Sequence, residues 1–465
     1  MSSPRSVRLL YGKTGMELRV PSSAQVLEGP GAPALADPEG KVSAALDQPI
    51  GCPSLRELLA GKGPDRSRKG GGAGVPSGRP RTVAITISDI TRPVPNKVFL
   101  PPLLSALNAC GIADAQVVII IGTGLHRAST PQERELLLGQ AIGARVEVID
   151  HTADDPGTLV KVSDDPPVSV NRRFAQADFR IVTGYIEPHF MAGFSGGRKG
   201  VCPALVDLAT VQRFHGYRTL ADPRADNGIL DGNPCHEIAL KVARAVGVDL
   251  LLNVAITRDG STELAEVRRV AGVYCGELEQ AHLAGCRDVA KWVSARLDGT
   301  YDLVVTNGGG YPLDATFYQT VKGMCTALPA LGAQSTLLIV SECCEQLGSK
   351  TFTEMMLRYD NDWRRFLSDI AASDETKLDQ WELQMQARVL QRVGMENLWL
   401  VSDGIPPEVQ KHIAVTPILG EGAAQTGVRM DAAARAQRAI DRYLAARPNA
   451  RVAVIPDGPY TMLHV

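Results

Sequence analysis

The sequence has no apolar run of the ~18 residues that a membrane-spanning helix needs, and residues 1–21 lack the long apolar segment of a secretory signal. It also lacks an excess of charge, because 49 basic and 51 acidic residues give a formal net charge of -2 and a pI of about 6.5. No global electrostatic attraction therefore favours nucleic acid or an anionic membrane surface. We expect a cytoplasmic protein that binds neither and that holds any anion locally.

Cysteine and histidine are also without a metal-site pattern. The nine cysteines form no CxxC pair and the sequence contains no HExxH, so neither a disulfide framework nor the short ligand spacing of a zinc enzyme is indicated. His189 and His215 lie 26 residues apart. Metal binding therefore stays open, but sequence spacing does not name the metal.

The sequence does have an ordinary globular composition, 44% hydrophobic and 22% charged over 465 residues, which is long enough for two domains. From residue 81 onward, strand-like and helix-like segments alternate, and this rhythm predicts parallel sheets with right-handed crossovers. We predict two α/β domains, residues 1–280 and 281–465, with mostly parallel sheets and a site in the cleft between them. The Gly- and Arg-rich stretch 61–80 is predicted to be a flexible insertion.

Polar residues follow three of the predicted strands of the first domain. They are Ser88, Asp89, Thr91 and Arg92 after the first strand, Thr123, His126 and Arg127 after the second, and Glu187 and His189 after the third. Ligands collect beyond the carboxyl ends of strands in parallel sheets. A single histidine there is more often a structural residue, so the convergence of three strand ends is the stronger signal.

The stretch 187–216 combines three reactive side chains with a small, apolar frame. Glycines at 193, 196, 197 and 200 allow close backbone approach and predict a cradle for an anion or a cofactor. Lys199 is compatible with a phosphate-binding cation, a nucleophilic amine or a surface lysine. His215 is predicted to project from the C-terminal end of a short helix.

The second domain is predicted to open with the strand 301–307, followed by three glycines at 308–310 that form either a second anion cradle or a plain tight turn. Tyr318 and Lys322 are four residues apart and share one face of the next helix. Taken together with Arg92, which can bind a carboxylate, and histidines that transfer protons near pH 7, these residues suit a small anionic substrate.

Six separated motifs resemble the nickel-dependent lactate racemase family. They are DITRP at 89–93, GTGLHR at 122–127, EPHFMAGFSGGRKG at 187–200, the histidine at 215, DGNPCHE at 231–237 and DATFYQTVKG at 314–323. They occur in family order over most of the chain. Two departures are Ala204, where the family usually has glycine, and the basic insertion at 61–80.

The resemblance implies a nickel-pincer nucleotide, a pyridinium mononucleotide with two sulfur arms that requires its own biosynthesis proteins. It implies that Lys199 tethers this cofactor and that His215 ligates nickel, with His126 and His189 as the catalytic acid and base. The implied substrate contacts are Arg92, Tyr318, Gln319 and Lys322. The implied cofactor contacts, besides Lys199, are Asp89, Thr91, Ser195, Gly196 and Gly197.

The leading hypothesis is an enzyme that inverts C2 of lactate or a related short 2-hydroxy acid by transient hydride transfer to this cofactor. A sugar-acid 2-epimerase with the same cofactor is the alternative within this chemistry. A zinc-dependent hydrolase using His126, His189 and His215, and a non-catalytic cofactor-binding protein, are the alternatives outside it. A homo-oligomer stays open.

Overall fold

The computed structural model describes residues 4–61, 80–257, 269–420 and 430–464. Almost all of the predicted insertion at 61–80 therefore lies outside the described residues. Within them, two six-stranded sheets organise the chain, and four small two-stranded sheets accompany them. No helix in these ranges combines the length and the apolar character needed to cross a membrane.

The strands, in chain order, are β1 (Arg5–Leu9), β2 (Met16–Val20), β3 (Gln25–Val26), β4 (Val83–Ser88), β5 (Val117–Gly122), β6 (Glu147–Asp150), β7 (Leu159–Asp164), β8 (Pro167–Asn171), β9 (Phe179–Tyr185), β10 (Pro188–His189), β11 (Gly193–Phe194), β12 (Leu250–Ile256), β13 (Val270–Gly276), β14 (Ser294–Arg296), β15 (Tyr301–Asn307), β16 (Leu331–Val340), β17 (Leu398–Val401), β18 (Thr416–Pro417), β19 (Val452–Val454) and β20 (Met462–His464).

The α-helices are α1 (Pro38–Asp47), α2 (Leu55–Leu59), α3 (Asn96–Ala109), α4 (Pro131–Gly143), α5 (Arg172–Ala175), α6 (Leu208–Phe214), α7 (Tyr217–Ala221), α8 (Pro234–Val246), α9 (Leu278–Val293), α10 (Phe317–Thr326), α11 (Lys350–Tyr359), α12 (Trp363–Ala371), α13 (Gln380–Val393), α14 (Pro407–Gln410) and α15 (Ala432–Ala446). Short 3-10 turns add to these, among them Gly197–Gly200 and Gly458–Tyr460.

The first large sheet has the strand order β13-β12-β9-β4-β5-β6. Its strands pair in parallel, as predicted, except that β13 runs antiparallel to β12 at the edge. Strands β4, β5 and β9 are buried almost throughout because helices cover both faces, which explains their near-continuous apolar sequence. The chain reverses direction across the sheet between β4 and β9, and the polar residues that follow these two strands meet there.

The second large sheet has the order β18-β17-β16-β15-β19-β3, and all its pairs are parallel. The mixed α/β architecture with mostly parallel sheets is thereby confirmed. Strand β3 comes from the N-terminal end of the chain, and the β1–β2 hairpin packs its apolar face against the same sheet.

Residues 5–26, which the prediction assigns to the first domain together with the rest of 1–280, pair with and pack on the second sheet. The alternating apolar face of the hairpin needs a sheet to cover it, and nothing in the local sequence says which one. The predicted boundary at 280 also falls inside α9. A division into two domains near this point stays a prediction.

Helix α10 lies directly against the end of β15. A Cβ built at Gly323 would stand 2.1 Å from the carbonyl oxygen of Asn307, so only glycine permits this approach. The close packing positions the residues of α10 that face the first domain. A 3-10 turn separates the glycines at 308–310 from this helix. The amide of Gly309 donates to Asn307 Oδ1 at 2.9 Å, so these glycines form a tight turn and not an anion cradle at the start of the helix.

Gly323→Ala is expected to lower the free energy of unfolding by about 1–3 kcal/mol, because α10 must move away from β15. Gly143→Ala is the matched control, since a Cβ there meets no atom within 4 Å and the change should alter stability by at most about 1 kcal/mol. Chemical denaturation of both variants measures the difference. Equal stabilities would contradict the packing constraint.

Candidate active site

The segment between β10 and α6 carries Lys199 into the space next to His189. The short β10–β11 hairpin places His189 at one end of this segment, and the 3-10 turn Gly197–Gly200 places Lys199 at the other. Lys199 Nζ lies 3.0 Å from His189 Nε2. The ring of Phe214, one residue before His215, lies 5.4 Å from the same amine.

Hydrogen bonds determine the proton positions in this pair. The amides of Met191 and Ala192 both donate to His189 Nδ1 at 3.2 Å, so this nitrogen carries no proton. The proton of the neutral ring is therefore on Nε2, and it can only be donated to an amine that is itself unprotonated. Lys199 is thus a neutral amine here.

Electrostatics agree with this assignment. Burial holds the pKa of Lys199 well below its ordinary value, and the positive charges of Arg92, Arg198 and Lys322 act in the same direction. Burial likewise lowers the pKa of His189, and the positive charges of Arg92 and Lys322 act in the same direction. A buried, unprotonated amine is a nucleophile. The surface-lysine interpretation of Lys199 is wrong.

Arg92 is held at the carboxyl end of β4 by Glu187. Its Nη1 lies 3.7 Å from Glu187 Oε1, and the hydroxyls of Tyr185 and Ser195 donate to the same carboxylate. Burial opposes the charge on Arg92, but the negative charges around it, of which Glu187 is the strongest, together outweigh burial, so the pKa of Arg92 lies above its ordinary value. The guanidinium is therefore a permanent cation available to an anion.

His126 forms a second unit with Asp89 and Thr91. His126 Nδ1 donates to Asp89 Oδ2 at 2.5 Å, and the Thr91 hydroxyl donates to Asp89 Oδ1 at 2.6 Å. Burial alone would raise the pKa of Asp89, but these hydrogen bonds and the charge of His126 outweigh burial and hold it below its ordinary value. The carboxylate orients the ring with Nδ1 toward Asp89, so that Nε2 is the nitrogen that can exchange a proton with a substrate. Half of the His126 side chain is exposed, so it can meet a substrate.

His215 caps the C-terminal end of α6, as predicted. Its Nδ1 donates to the carbonyl of Val211 at 2.9 Å, which leaves Nε2 without a proton and available as a metal ligand. Burial lowers the pKa of His215 to about 3. Its ring stacks on Trp381 at a centroid distance of 4.5 Å, and Trp381 Nε1 donates to the Tyr318 hydroxyl at 2.6 Å.

Helices α10 and α13 of the second sheet complete the site. Tyr318 and Lys322 lie on α10, while Trp381 and Glu382 begin α13. Burial lowers the pKa of Lys322 and raises the pKa of Glu382, and each group's charge partly offsets the burial effect on the other. Gln319 Oε1 and Glu382 Oε2 are buried without a hydrogen-bond partner in the described residues.

The sequence-predicted residues thus converge on one region from three strand ends, one loop and α10. Electrostatic interactions link these residues. Arg92, Lys199 and Lys322 influence the pKa of His189, and His126 influences the pKa of His215. In contrast, Gly196 and Gly197 serve packing. A Cβ at Gly197 would lie 2.5 Å from His282 Cγ, and the Gly197 amide donates to Asn253 Oδ1 at 2.7 Å.

The interpretation of these glycines as open amide donors is therefore corrected for Gly197, since its amide already has a partner inside the protein. A contact of Gly196 or Gly197 with the cofactor stays a prediction. The unusual Ala204 is accommodated within the protein as well, because its methyl group packs where Gly122 has no side chain.

Sequence reasoning passed over Glu382 and Arg198, it took Trp381 for a core or cleft-wall residue, and it named Glu187 without giving it a role. Glu187 and Arg198 lie inside the motif 187–200, so that motif was a usable signal. Trp381 and Glu382 lie in an ordinary amphipathic helix, and only the packing of α13 against α10 and α7 brings them to the site.

Metal binding through a cluster of protein side chains is not supported. The described ranges contain no group of three or more His, Cys, Asp and Glu side chains that could hold a metal ion. His126 is bonded to Asp89 and His189 to Lys199, so the three histidines do not form the site that the zinc-hydrolase hypothesis requires.

The fold and this site define a two-sheet α/β protein in which an unprotonated lysine, two differently held histidines and an arginine paired with a glutamate meet. The family model of the lactate racemase N-terminal domain matches residues 76–228, and that of the C-terminal domain matches residues 298–462. The chain belongs to the lactate racemase family. The protein is accordingly an isomerase with racemase activity.

Individual relatives agree with this assignment. Lactate racemase of Thermoanaerobacterium thermosaccharolyticum is 31% identical over 390 residues, covering 82% of this chain and 84% of that protein. Lactate racemase of Lactiplantibacillus plantarum is 31% identical over 423 residues, covering 90% and 89%. The structure of the lactate racemase apoprotein from T. thermosaccharolyticum matches with a TM-score of 0.83 at 28% identity, covering 99% of this chain and 100% of that one.

A pH-dependent stability is expected from His215. Because its folded-state pKa of about 3 lies below the ordinary 6.5, the unfolded chain binds the proton first as the pH falls. The stabilisation is present near pH 7 and is lost below about pH 6.5. His215→Gln should reduce the loss of stability between pH 7 and pH 4.5 by roughly 1–2 kcal/mol, allowing for partial exposure.

Denaturant unfolding at the two pH values measures this difference. His412→Gln is the control, since it removes an exposed imidazole bonded to Asp360 away from the site. An identical pH dependence in wild type and His215→Gln would show that His215 is not held neutral.

Proposed function

We propose that the protein racemises lactate or a closely related short 2-hydroxy acid, using a nickel-pincer nucleotide that is tethered to Lys199 and whose nickel is ligated by His215. One observation supports the proposal more than the others. The unprotonated amine of Lys199 and the ring of His215, whose Nε2 carries no proton, both contact the ring of Phe214. An amine must be unprotonated to form an acyl-type bond, and an imidazole nitrogen must be unprotonated to bind a metal.

The residues around the pair fit such a group. Lys322 and Arg92 act on the pKa of Lys199, so the region favours an anion such as a phosphate or a carboxylate. The ring of Trp381 stacks on His215 and holds the orientation of the imidazole that is to ligate the metal. When bound, the cofactor supplies the electrophilic acceptor for the C2 hydride, which protein side chains lack.

The chain's own residues bind the acid and move its hydroxyl proton. Arg92, held by Glu187, is placed to bind the substrate carboxylate in a bidentate manner. His126, held by Asp89, is the base that accepts the hydroxyl proton of one enantiomer at Nε2. His189, whose Nε2 carries a proton and faces Lys199, donates that proton to the oxygen on C2 when the other enantiomer is formed, and takes it back when that enantiomer is the substrate. Because the two histidines have different hydrogen-bond partners, each can serve one direction of the racemisation.

The wall beside these groups favours a small apolar substituent on C2. The ring of Phe190 lies 5.2 Å from the ring of His189 and 5.9 Å from Lys322 Nζ. A methyl group fits against such a ring, whereas a chain of hydroxyl groups would lose hydrogen bonds to water there. We therefore favour a short 2-hydroxy acid over a sugar acid.

The first test is the racemisation assay on protein produced together with the cofactor's biosynthesis proteins. Wild type should carry an adduct on Lys199 and convert either enantiomer of lactate to the racemate. Lys199→Ala should lack the adduct and the activity, because the tether is gone, while Lys291→Ala, a change at an exposed lysine, should keep both. Intact mass and chiral chromatography provide the measurements. Wild-type protein with the adduct but without turnover of any 2-hydroxy acid would refute the proposed function.

The second test addresses the His126–Asp89 unit. His126→Gln should lower kcat by about 100-fold to 10,000-fold, the usual contribution of acid/base catalysis. Asp89→Asn should lower kcat by at least about tenfold, because the amide no longer selects the tautomer with the proton on Nδ1. Asp360→Asn is the matched control, since Asp360 holds the exposed His412 in the same way at 2.6 Å. Unchanged kcat in Asp89→Asn would remove the orienting role of Asp89.

A further inference from the structure

Arg198, the neighbour of Lys199, is one of the largest fully buried side chains of the described residues, with 1% of its surface exposed. Its guanidinium donates to three carbonyl groups of the segment that precedes it. Nη2 lies 2.6 Å from the carbonyl oxygen of Ala192, and Nη1 lies 2.9 Å from that of Phe194 and 3.4 Å from that of Gly196. One side chain thus joins the β10–β11 hairpin to the turn that carries Lys199.

No carboxylate compensates this buried charge in the described part of the chain. Burial lowers the pKa of Arg198 to about 10, and the groups that act in the opposite direction are the thiols of three buried cysteines. A buried cation without a counter-ion is costly, so the hydrogen bonds to the carbonyls must offset that cost. Arg198 also acts on Lys199, because its charge helps to lower the pKa of that amine.

Helix α9 forms the floor under this arrangement. His282 Nε2 lies 3.2 Å from Arg198 Nη1 and 2.9 Å from the carbonyl oxygen of Ser195. The absence of a side chain at Gly197 lets the turn rest on the His282 ring. The turn is therefore supported from below by α9 and tied from within by the guanidinium.

We propose that Arg198 is the positioning residue for Lys199: its guanidinium, bound to the carbonyls of Ala192, Phe194 and Gly196, holds the amine against His189. The inference rests on the proposed role of Lys199 as the tether of the cofactor. It assigns to Arg198 no contact with substrate or cofactor. The planar fork of an arginine reaches separate carbonyls in fixed directions, whereas a lysine ammonium is a compact point charge.

The test is competitive acetylation of the full-length protein without cofactor, using acetic anhydride between pH 6 and pH 8 and quantifying Lys199 and the exposed Lys350 by peptide mass spectrometry. An exposed ammonium gains reactivity about tenfold per pH unit below its pKa. In wild type, acetylation of Lys199 should change less than about twofold over this range, because the amine is already unprotonated.

Arg198→Met keeps the bulk of the side chain but removes the donors and the charge. Its Lys199 should become more than about tenfold more reactive at pH 8 than at pH 6, following Lys350, because the freed amine reaches solvent and gains a proton. In Arg198→Lys, the reactivity of Lys199 should rise about threefold to tenfold from pH 6 to pH 8, which lies between wild type and Arg198→Met. Arg180→Lys is the matched control, since Arg180 is equally buried but is paired with Asp249 away from the site, and its Lys199 should behave as in wild type.

Thermal unfolding confirms that each variant is folded before labelling. A flat, wild-type profile of Lys199 in folded Arg198→Met overturns the proposal, and if that variant does not fold, a flat profile in Arg198→Lys overturns it. An equally large change in the pH dependence of Lys199 acetylation in Arg180→Lys would also overturn it, since a general loss of packing would then explain the effect. Because no cofactor is present, a failure of cofactor loading or of racemisation refutes the proposed function and leaves this result unaffected.

Discussion

The arrangement of the candidate site depends on the positive side chains that surround the buried amine of Lys199. Arg92, Arg198 and Lys322 all act on Lys199, and burial removes the water that would otherwise screen them. They cannot all keep their protons. The arginines keep theirs because their intrinsic pKa is high, so the amine of Lys199 gives up its proton. The tautomer of His189, set by two backbone amides, accommodates that result by donating to the amine.

The carboxylates of the site have the complementary task of keeping other groups charged or oriented. Glu187 stabilises the charge of Arg92, and Asp89 orients His126. The charge of Glu382 acts on Lys322, and both residues belong to helices of the second sheet. The first sheet thus supplies the amine, the three histidines and the arginine, whereas the second sheet supplies Lys322 and the tryptophan that stacks on His215. Neither half contains all of these groups, so the candidate site depends on their association.

Local patterns predicted the elements that bring most of these groups together. The strands before Asp89, His126 and Glu187 are buried on both faces, and such strands read as continuous apolar segments with polar ends. The short helix ending at His215 was predictable for a similar reason, since three apolar residues mark its buried face. The antiparallel edge strand β13 and the pairing of β3 with β19 were not predictable, because each joins segments that are distant in sequence.

The sequence by itself determined the alternating α/β architecture, the motifs of the family and the identity of the residues that converge. Those properties follow from periodicity and residue chemistry, which are local. Only the tertiary structure decided that Lys199 is an unprotonated amine, that His215 keeps an unprotonated Nε2 while its ring stacks on Trp381, that Gly197 serves packing and that Arg198 ties the intervening segment. Protonation and packing are set by burial and by neighbours from other elements, and these exist only after the chain has folded.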